Sequence, residues 1–406
     1  LRISEFGFWV RDVFKSAIPN PRSEIERSGS MDSTTLKVEL QSFGLRIPDK
    51  KNIRRGGAGP TGGIHLKILP DTEGNVPVVG DFVDSSPYYL DQINGEYWVF
   101  RDHVALAQVE FMGDARFYEH TTSMGTPMQK IGLLHCPATF ATTLLQTCVF
   151  WEDYRRCKFC GIELTLKDRA TVGFKDAKSL VETILLAKEL DGISNIVFTS
   201  GVAKDEEKAL RKYAEICSEV KAATGLPIQL QIIPPEDLSW LRRLKDSGVD
   251  ALGVHIETFD PEVFENITPG KAKIGFDKYV ETWKEAVDVF GRWQVSTYVL
   301  AGLGEKIETI INGVALCADI GVYPFIVPFR PIAGTPMENV RPPEPHVMEY
   351  VYTEAAKILS NYEGGSKSSR AGCVSCGECS ALPDFEKALK PSNVRFKKTL
   401  KHLNVS

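Results

Sequence analysis

From residue 139 onward the chain alternates short β-type runs with amphipathic helical stretches. The runs fall at 139–147, 195–199, 227–233, 251–256, 294–300 and 323–329. Helical periodicity follows each of them, at 177–189, 206–223, 236–247, 276–290, 305–320 and 344–359. Parallel strands need such crossovers, and the hand of the crossover is nearly fixed. Six units point to an α/β fold built as a partial (β/α)6 barrel, with a doubly wound open sheet as the alternative. No further period of 20–50 residues marks a solenoid.

Residues 31–135 read differently. Turn signals recur at Arg54-Arg55-Gly56-Gly57-Ala58-Gly59-Pro60, Thr61-Gly62-Gly63 and Asn94-Gly95. Between them lie β-type runs at 64–69 and 97–100, and Asn-Gly between such runs is a hairpin signal. The expectation is a small β-rich N-terminal extension. The glycines at 56–63 lack the Gly-Lys-Ser/Thr ending of a phosphate loop and precede no helical pattern, so they read as a structural turn. The chain opens on Leu1, and Met31 follows Arg27-Ser28-Gly29-Ser30. Residues 1–30 are therefore expected to be a leader or appended segment without order. The expected divisions are 1–30, 31–135, a core at 136–362 and a Cys-rich tail at 363–406.

Composition narrows the function classes. Of 406 residues, Lys and Arg supply 48 and Asp and Glu 53, a net charge of −5. That balance carries no global bias toward nucleic acid or an anionic membrane. No apolar stretch approaches the ~18 residues of a membrane span. The nine cysteines are an odd number, and six stand in two tight groups. This is not the pattern of a small secreted disulfide scaffold. It reads as metal or iron–sulfur ligands in a reducing compartment, with the cytoplasm as the default.

The first group is Cys148-(x8)-Cys157-(x2)-Cys160, directly after the first strand of the alternation. Three thiolates from one loop suit three irons of a [4Fe–4S] cluster and leave the fourth iron open. A zinc site completed by His135 or Cys136 is the competing reading, as are unrelated buried cysteines. Loops after the strands of a βα barrel line its catalytic face, which favours the cluster. Cys217 and Cys317 lie in amphipathic helices and read as core.

With Cys157-Lys158-Phe159-Cys160-Gly161, this pattern resembles the radical S-adenosylmethionine (SAM) superfamily over roughly residues 139–340. It departs from the usual Cys-x3-Cys-x2-Cys loop in its first gap of eight. The resemblance implies a cluster whose open iron is chelated by SAM. It implies reductive cleavage of SAM to methionine and a 5′-deoxyadenosyl radical, which abstracts hydrogen from a small-molecule substrate. A reductant such as flavodoxin or ferredoxin would be the partner, with no role for nucleic acid or membrane.

Other motifs take their reading from that resemblance. Thr199-Ser200-Gly201 resembles a variant of the Gly-Gly-Glu segment that contacts the SAM amino group. In His255-Ile256-Glu257-Thr258, Glu257 is similar to a polar residue touching SAM and is a catalytic candidate. Gly302-Leu303-Gly304-Glu305 resembles a glycine turn that lets backbone approach adenine, with Glu305 placed to cap the next helix. Pro331-Ile332-Ala333-Gly334-Thr335-Pro336 resembles a turn of biotin-synthase-like members, and Arg330 before it could clamp a carboxylate. Bland readings stand beside each: polar turns, a solvated strand end, a surface arginine.

The second group is Cys373-(x2)-Cys376-(x2)-Cys379. It fits an auxiliary [4Fe–4S] cluster near the barrel mouth, or zinc completed by His346 or His402, or a redox disulfide. Arg54–Pro60, Cys148-(x8)-Cys157-(x2)-Cys160, His255-x-Glu257, Gln294-Val295-Ser296-Thr297-Tyr298 and the Ala371-Gly372-Cys373 tail together resemble a biotin-synthase-like subfamily encoded beside nitrilase-type enzymes. The resemblance runs over about residues 38–382 and leaves the substrate open. A sulfur-inserting reaction like those of biotin or lipoyl synthases is one alternative. A non-catalytic zinc-binding assembly protein is another. The Lys397-Lys398 and Lys401-His402 end reads as solvated.

Overall fold

The computed structural model describes residues 31–48 and 62–389. The segment at 1–30, the Arg54–Pro60 turn and the Lys397–His402 end lie outside these residues.

The described chain begins with a helix that the turn-rich sequence did not announce, α1 (Ser33–Phe43). Asp32 caps it by accepting from the Thr34 and Thr35 N–H groups. Five antiparallel strands follow: β1 (Gly63–Ile68), β2 (Thr72–Pro77), β3 (Tyr88–Ile93), β4 (Glu96–Arg101) and β5 (Val104–Phe111). Their order is β2-β1-β5-β4-β3. Asn94 and Gly95 both take positive φ, 53° and 87°, and close the expected β3–β4 hairpin.

The second sheet has seven strands: β6 (Leu133–Cys136), β7 (Thr139–Thr143), β8 (Asn195–Thr199), β9 (Ile228–Ile232), β10 (Ala251–Val254), β11 (Val295–Ala301) and β12 (Val322–Pro328). They lie in sequence order, with β7 to β12 parallel and β6 antiparallel at the edge. This is the expected partial barrel, the α/β core of a TIM-type fold. β7, β9, β10 and β12 are buried throughout, as parallel strands covered on both faces must be.

The crossover helices are α2 (Ala177–Asp191), α3 (Glu206–Thr224), α4 (Ser239–Asp246), α6 (Phe276–Phe290), α7 (Ile307–Ile320) and α8 (Pro345–Leu359), with the short α5 (Pro269–Ile274) before α6. Local chemistry sets their ends. The Asp176 and Asp205 carboxylates accept from the Ser179 and Lys208 N–H groups at the starts of α2 and α3. Gly192 and Gly225 end the same helices in the left-handed conformation. No helix among the described residues is long and apolar enough to cross a membrane.

The tail returns to the barrel through α9 (Gly372–Cys376) and α10 (Leu382–Ala388). Gly372 N–H donates to Asn195 Oδ1 at 3.2 Å, and Cys373 N–H donates to Gln229 Oε1 at 3.1 Å. Asn195 and Gln229 stand at the N-terminal ends of β8 and β9. The tail therefore closes the end of the barrel opposite the loops that leave its strands. Gly372 has φ +79°, and a Cβ there would lie 2.2 Å from the Gln229 side chain, so only glycine fits.

Candidate active site

The first cysteine loop leaves β7 at the C-terminal face. Leu144 N–H bonds Thr199 O as the last link to β8, and Gln146 N–H then bonds Gly173 O, which takes the chain away from the sheet. Gly201 N–H donates to Leu145 O, and its Cα faces Thr147 so closely that a Cβ would lie 2.0 Å from Thr147 O. The eight-residue gap is pinned in turn. Val149 N–H bonds Val202 O, Cys148 N–H donates to Glu163 Oε1 at 3.0 Å, and Arg156 lies 3.5 Å over the Trp151 ring. Cys160 N–H closes on Cys157 O at 3.0 Å.

All three cysteines carry free thiols. Burial raises the Cys157 thiol well above its ordinary value; Lys271 pulls the other way, and Cys160, Glu257 and Cys148 add to the rise. Burial likewise pushes Cys160 up to about 11. Cys148, Cys157 and Cys160 are three free thiols of one loop, and the charges of Cys148 and Cys160 act on Cys157, which is a donor set of the kind a [4Fe–4S] cluster takes. The donor set therefore fits a cluster held by Cys148, Cys157 and Cys160.

The cation is Lys271, on α5. Its ammonium donates to Glu257 Oε1 at 2.6 Å and to His255 O at 2.6 Å. Burial alone lowers the Lys271 pKa, but the Glu257 carboxylate outweighs it and holds the ammonium charged. Glu257 sits just beyond β10 at φ 73°, where a side chain is strained. Its N–H bonds Tyr298 O and its carbonyl accepts from Leu300 N–H, which holds that conformation.

The second cysteine group lies at the closed end, not at the mouth where the sequence placed it. Cys373 Sγ receives hydrogen bonds from Tyr298 Oη and Gln231 Nε2, each at 3.2 Å. Cys376 Sγ is 3.3 Å from Cys136 Sγ and 3.9 Å from His135 Nδ1. Cys379 Sγ is 3.4 Å from His135 Nε2. His346, an expected completing ligand, is exposed on α8, and His402 lies outside the described residues. His135 and Cys136, expected beside the first group, stand beside the second instead. Burial opposes the charge on His135, yet Cys379 and Cys136 outweigh it and raise its pKa well above 6.5.

A cavity of about 410 Å³ joins the two groups. Cys160 and Glu257 line one part of its wall, and Cys373, Cys376 and Cys379 another. Most of the remaining wall is apolar, including Phe159, Ile162, Val197, Leu300, Phe325 and Phe329.

Thr199 and Arg330 also line this cavity. Thr199 Oγ1 shares a 2.9 Å hydrogen bond with Thr143 Oγ1. The Arg330 guanidinium is bound on both arms to Asn75, Nη1 to Oδ1 at 2.6 Å and Nη2 to the carbonyl at 2.8 Å. It thus ties the barrel to β2 while facing the cavity.

The other candidates lie outside the lining. Ser200 Oγ donates to Gln231 O at 3.3 Å, and Gly201 packs under the cysteine loop. Gly302 and Gly304 take φ of +102° and +105° in the turn after β11. Glu305 accepts from the Gly302 and Leu303 N–H groups at 2.7 and 2.8 Å, closing that turn. It does not cap α7, whose N-cap position is Lys306 without a side-chain bond. Lys271, Tyr298 and Gln231 carried no signal of their own. Only Tyr298 stood in a motif that the sequence singled out.

Residues 154–316 match the family described as the Radical SAM superfamily. The match includes Cys157 and Cys160 and begins after Cys148. The chain is 24% identical over 233 residues to bacteriochlorophyllide c C-7(1)-hydroxylase of Chlorobaculum limnaeum, covering 52% of this chain and 56% of that protein. It is 24% identical over 218 residues to the mitochondrial GTP 3′,8-cyclase of Arabidopsis thaliana, covering 51% and 49%. The chain spans about half the length of these curated relatives. Among solved structures it is similar to methylornithine synthase, at 21% identity and TM-score 0.42, covering 55% of this chain and 62% of that one. It is also similar to the FeFe-hydrogenase maturase HydG from Carboxydothermus hydrogenoformans, at 20% identity and TM-score 0.44, covering 56% and 52%. The match falls within the partial barrel and takes in most of its cysteine loop: residues 154–316 carry a radical SAM domain.

Proposed function

We propose that the chain is a radical SAM enzyme acting on a small, largely apolar molecule held between two metal centres. One observation supports this reading: Cys148, Cys157 and Cys160 are free thiols of one loop near enough for their charges to interact, and Cys160 lines the cavity. Cys148, Cys157 and Cys160 would hold the SAM-binding [4Fe–4S] cluster, and Cys373, Cys376 and Cys379 an auxiliary cluster. A cluster held there would supply the electron, drawn from a flavodoxin- or ferredoxin-type reductant, for reductive cleavage of SAM to methionine and a 5′-deoxyadenosyl radical, which would take a hydrogen atom from the substrate.

This chain's own residues bind, orient and exclude water. Lys271 and Glu257 set a fixed dipole beside the first cysteine group, in a buried site where such charge acts strongly. Thr199 offers a hydroxyl at the wall, and the apolar residues keep water from a reactive intermediate. Arg330, held by Asn75, presents positive charge to an acidic or carbonyl group. The reading places the enzyme in a reducing, cytoplasmic setting.

A sulfur-inserting reaction is the second reading. It is favoured by the position of Cys373, Cys376 and Cys379 on the wall of the same cavity. Consumption of the auxiliary cluster would supply the sulfur.

The test is anaerobic reconstitution with iron and sulfide, then dithionite and SAM. About eight irons per chain and release of methionine with 5′-deoxyadenosine are expected, with cleavage abolished in Cys157→Ala. Loss of sulfide during turnover with product formation would select sulfur insertion. Zinc without iron, and no SAM cleavage, would overturn both readings in favour of a non-catalytic zinc protein.

A further inference from the structure

The tail motif supplies three thiols, and a Cys-ligated cluster takes four. We infer that Cys136 is the fourth protein ligand of the tail metal centre, so that this centre is closed and offers no open coordination position to substrate. The inference rests on the reading that Cys373, Cys376 and Cys379 hold a metal centre.

The backbone explains how a residue some 240 positions away in sequence arrives there. In the β6–β7 pair, Leu134 faces Phe140 and Cys136 faces Thr139, so the register slips by one residue at His135. A bulge of this kind leaves one residue extra and re-aims the side chains beside it. In a regular strand, adjacent side chains point to opposite faces. Here His135 and Cys136 both reach the tail: Cys136 Sγ lies 3.3 Å from Cys376 Sγ, and His135 approaches Cys376 and Cys379. Cys136 is 5% exposed and has a free thiol.

The choice between Cys136 and His135 follows from which atoms face what. A metal-bound histidine gives one ring nitrogen to the metal and the other to an outer partner. Each nitrogen of His135 instead faces a different cysteine sulfur, Nδ1 toward Cys376 and Nε2 toward Cys379. That is the placement of a donor to ligand sulfurs. His135 is therefore a positioning residue, and Cys136 completes the thiolate set.

The position of the tail is fixed independently. Glu378, between the second and third tail cysteines, bonds His65 Nδ1 at 2.8 Å, and its carbonyl accepts from Asn75 N–H at 2.8 Å and Gln41 Nε2 at 2.9 Å. The sulfurs are therefore presented to Cys136 by a framework that does not depend on the centre.

The experiment uses the full chain carrying Cys148→Ala, Cys157→Ala and Cys160→Ala, so that only the tail centre remains. After anaerobic reconstitution it should hold about four irons, with a reduced-state EPR spectrum unmoved by added cyanide or imidazole. Adding Cys136→Ala should either remove the iron or leave a cluster whose spectrum shifts with those ligands, because one iron has become open. Cys136→Ser should keep iron and give a displaced spectrum; it also covers a failure of the alanine variant to fold. His135→Asn should keep both the iron and the insensitivity to added ligand. If Cys136→Ala and Cys136→Ser match the parent in iron and spectrum, or if the parent is already ligand-sensitive, the inference is overturned while the second centre stands. A parent that binds no iron removes the second centre itself, and the inference with it.

Discussion

Lys271 is the residue on which the first site's electrostatics turn. Its side chain is 13% exposed and that of Glu257 11%, so the pair is largely desolvated. Removing one member of such a pair leaves an uncompensated charge, at a cost of about 3–5 kcal/mol. Lys271→Met is therefore expected to destabilise the chain by that amount in urea unfolding. The double variant Lys271→Met/Glu257→Gln should recover part of the loss, since no buried charge remains unpaired. A single-variant loss below about 1 kcal/mol would show the pair to be solvated in solution. The sequence showed half of this arrangement. Glu257 stood in a motif at a strand end, whereas Lys271 follows Pro269-Gly270 in a segment with no chemical signature. Its role depends on α5 packing against the cysteine loop, where Gly270 N–H bonds Arg155 O at 3.0 Å.

At the scale of elements, hydrophobic periodicity located the barrel because each strand and helix buries its own repeating face. Differences at the ends have local causes. The 139–147 run stops being strand at Thr143: Leu144 N–H still bonds Thr199 O at the end of β8, but Leu145 O accepts from Gly201 N–H and Gln146 N–H bonds Gly173 O, both outside the strands. The helix expected from 236 begins at Ser239, where the Asp237 side chain accepts its N–H after Pro234-Pro235. The bulge at His135 left no trace in the sequence, since it is a slip of pairing between two strands. Gly201 is the sharpest joint between elements. A Cβ there meets the Thr147 carbonyl, which is backbone and cannot rotate aside. Gly201→Ala is expected to push the cysteine loop off the β8 turn. Iron at the first centre should then fall by at least about half, and SAM cleavage with it, while the tail centre persists. Unchanged iron and cleavage in that variant would mean that the loop yields without displacing its thiols.

At the scale of the whole described chain, long-range partners bring the N-terminal sheet, the tail and the barrel to one cavity. Lys37 pairs with Asp384 at 2.7 Å, Arg330 with Asn75, and His65 with Glu378. None of these pairs was legible, because each joins residues more than 250 positions apart and no periodicity reports such contacts. The His65–Glu378 pair makes the clamp sensitive to pH. Burial alone lowers the His65 pKa, but the hydrogen bond and charge of Glu378 outweigh it, with Glu73 and Cys136 adding, and the result is raised above 6.5. A raised folded-state value means that the folded protein binds the proton more tightly than the unfolded chain. The pair's stabilisation is thus fully present below the unfolded value near 6.5 and is lost as pH rises through the folded value. Each unit of elevation is worth about 1.4 kcal/mol. Urea unfolding of the wild type and of His65→Gln at about pH 6 and about pH 9 isolates this contribution, because the other titrating groups are common to both proteins. The wild type should exceed the variant in stability at the lower pH by more than at the higher. A difference that stays flat, or that grows with pH, would mean that His65 is neutral beside Glu378 and that the tail is held by the uncharged contacts around it.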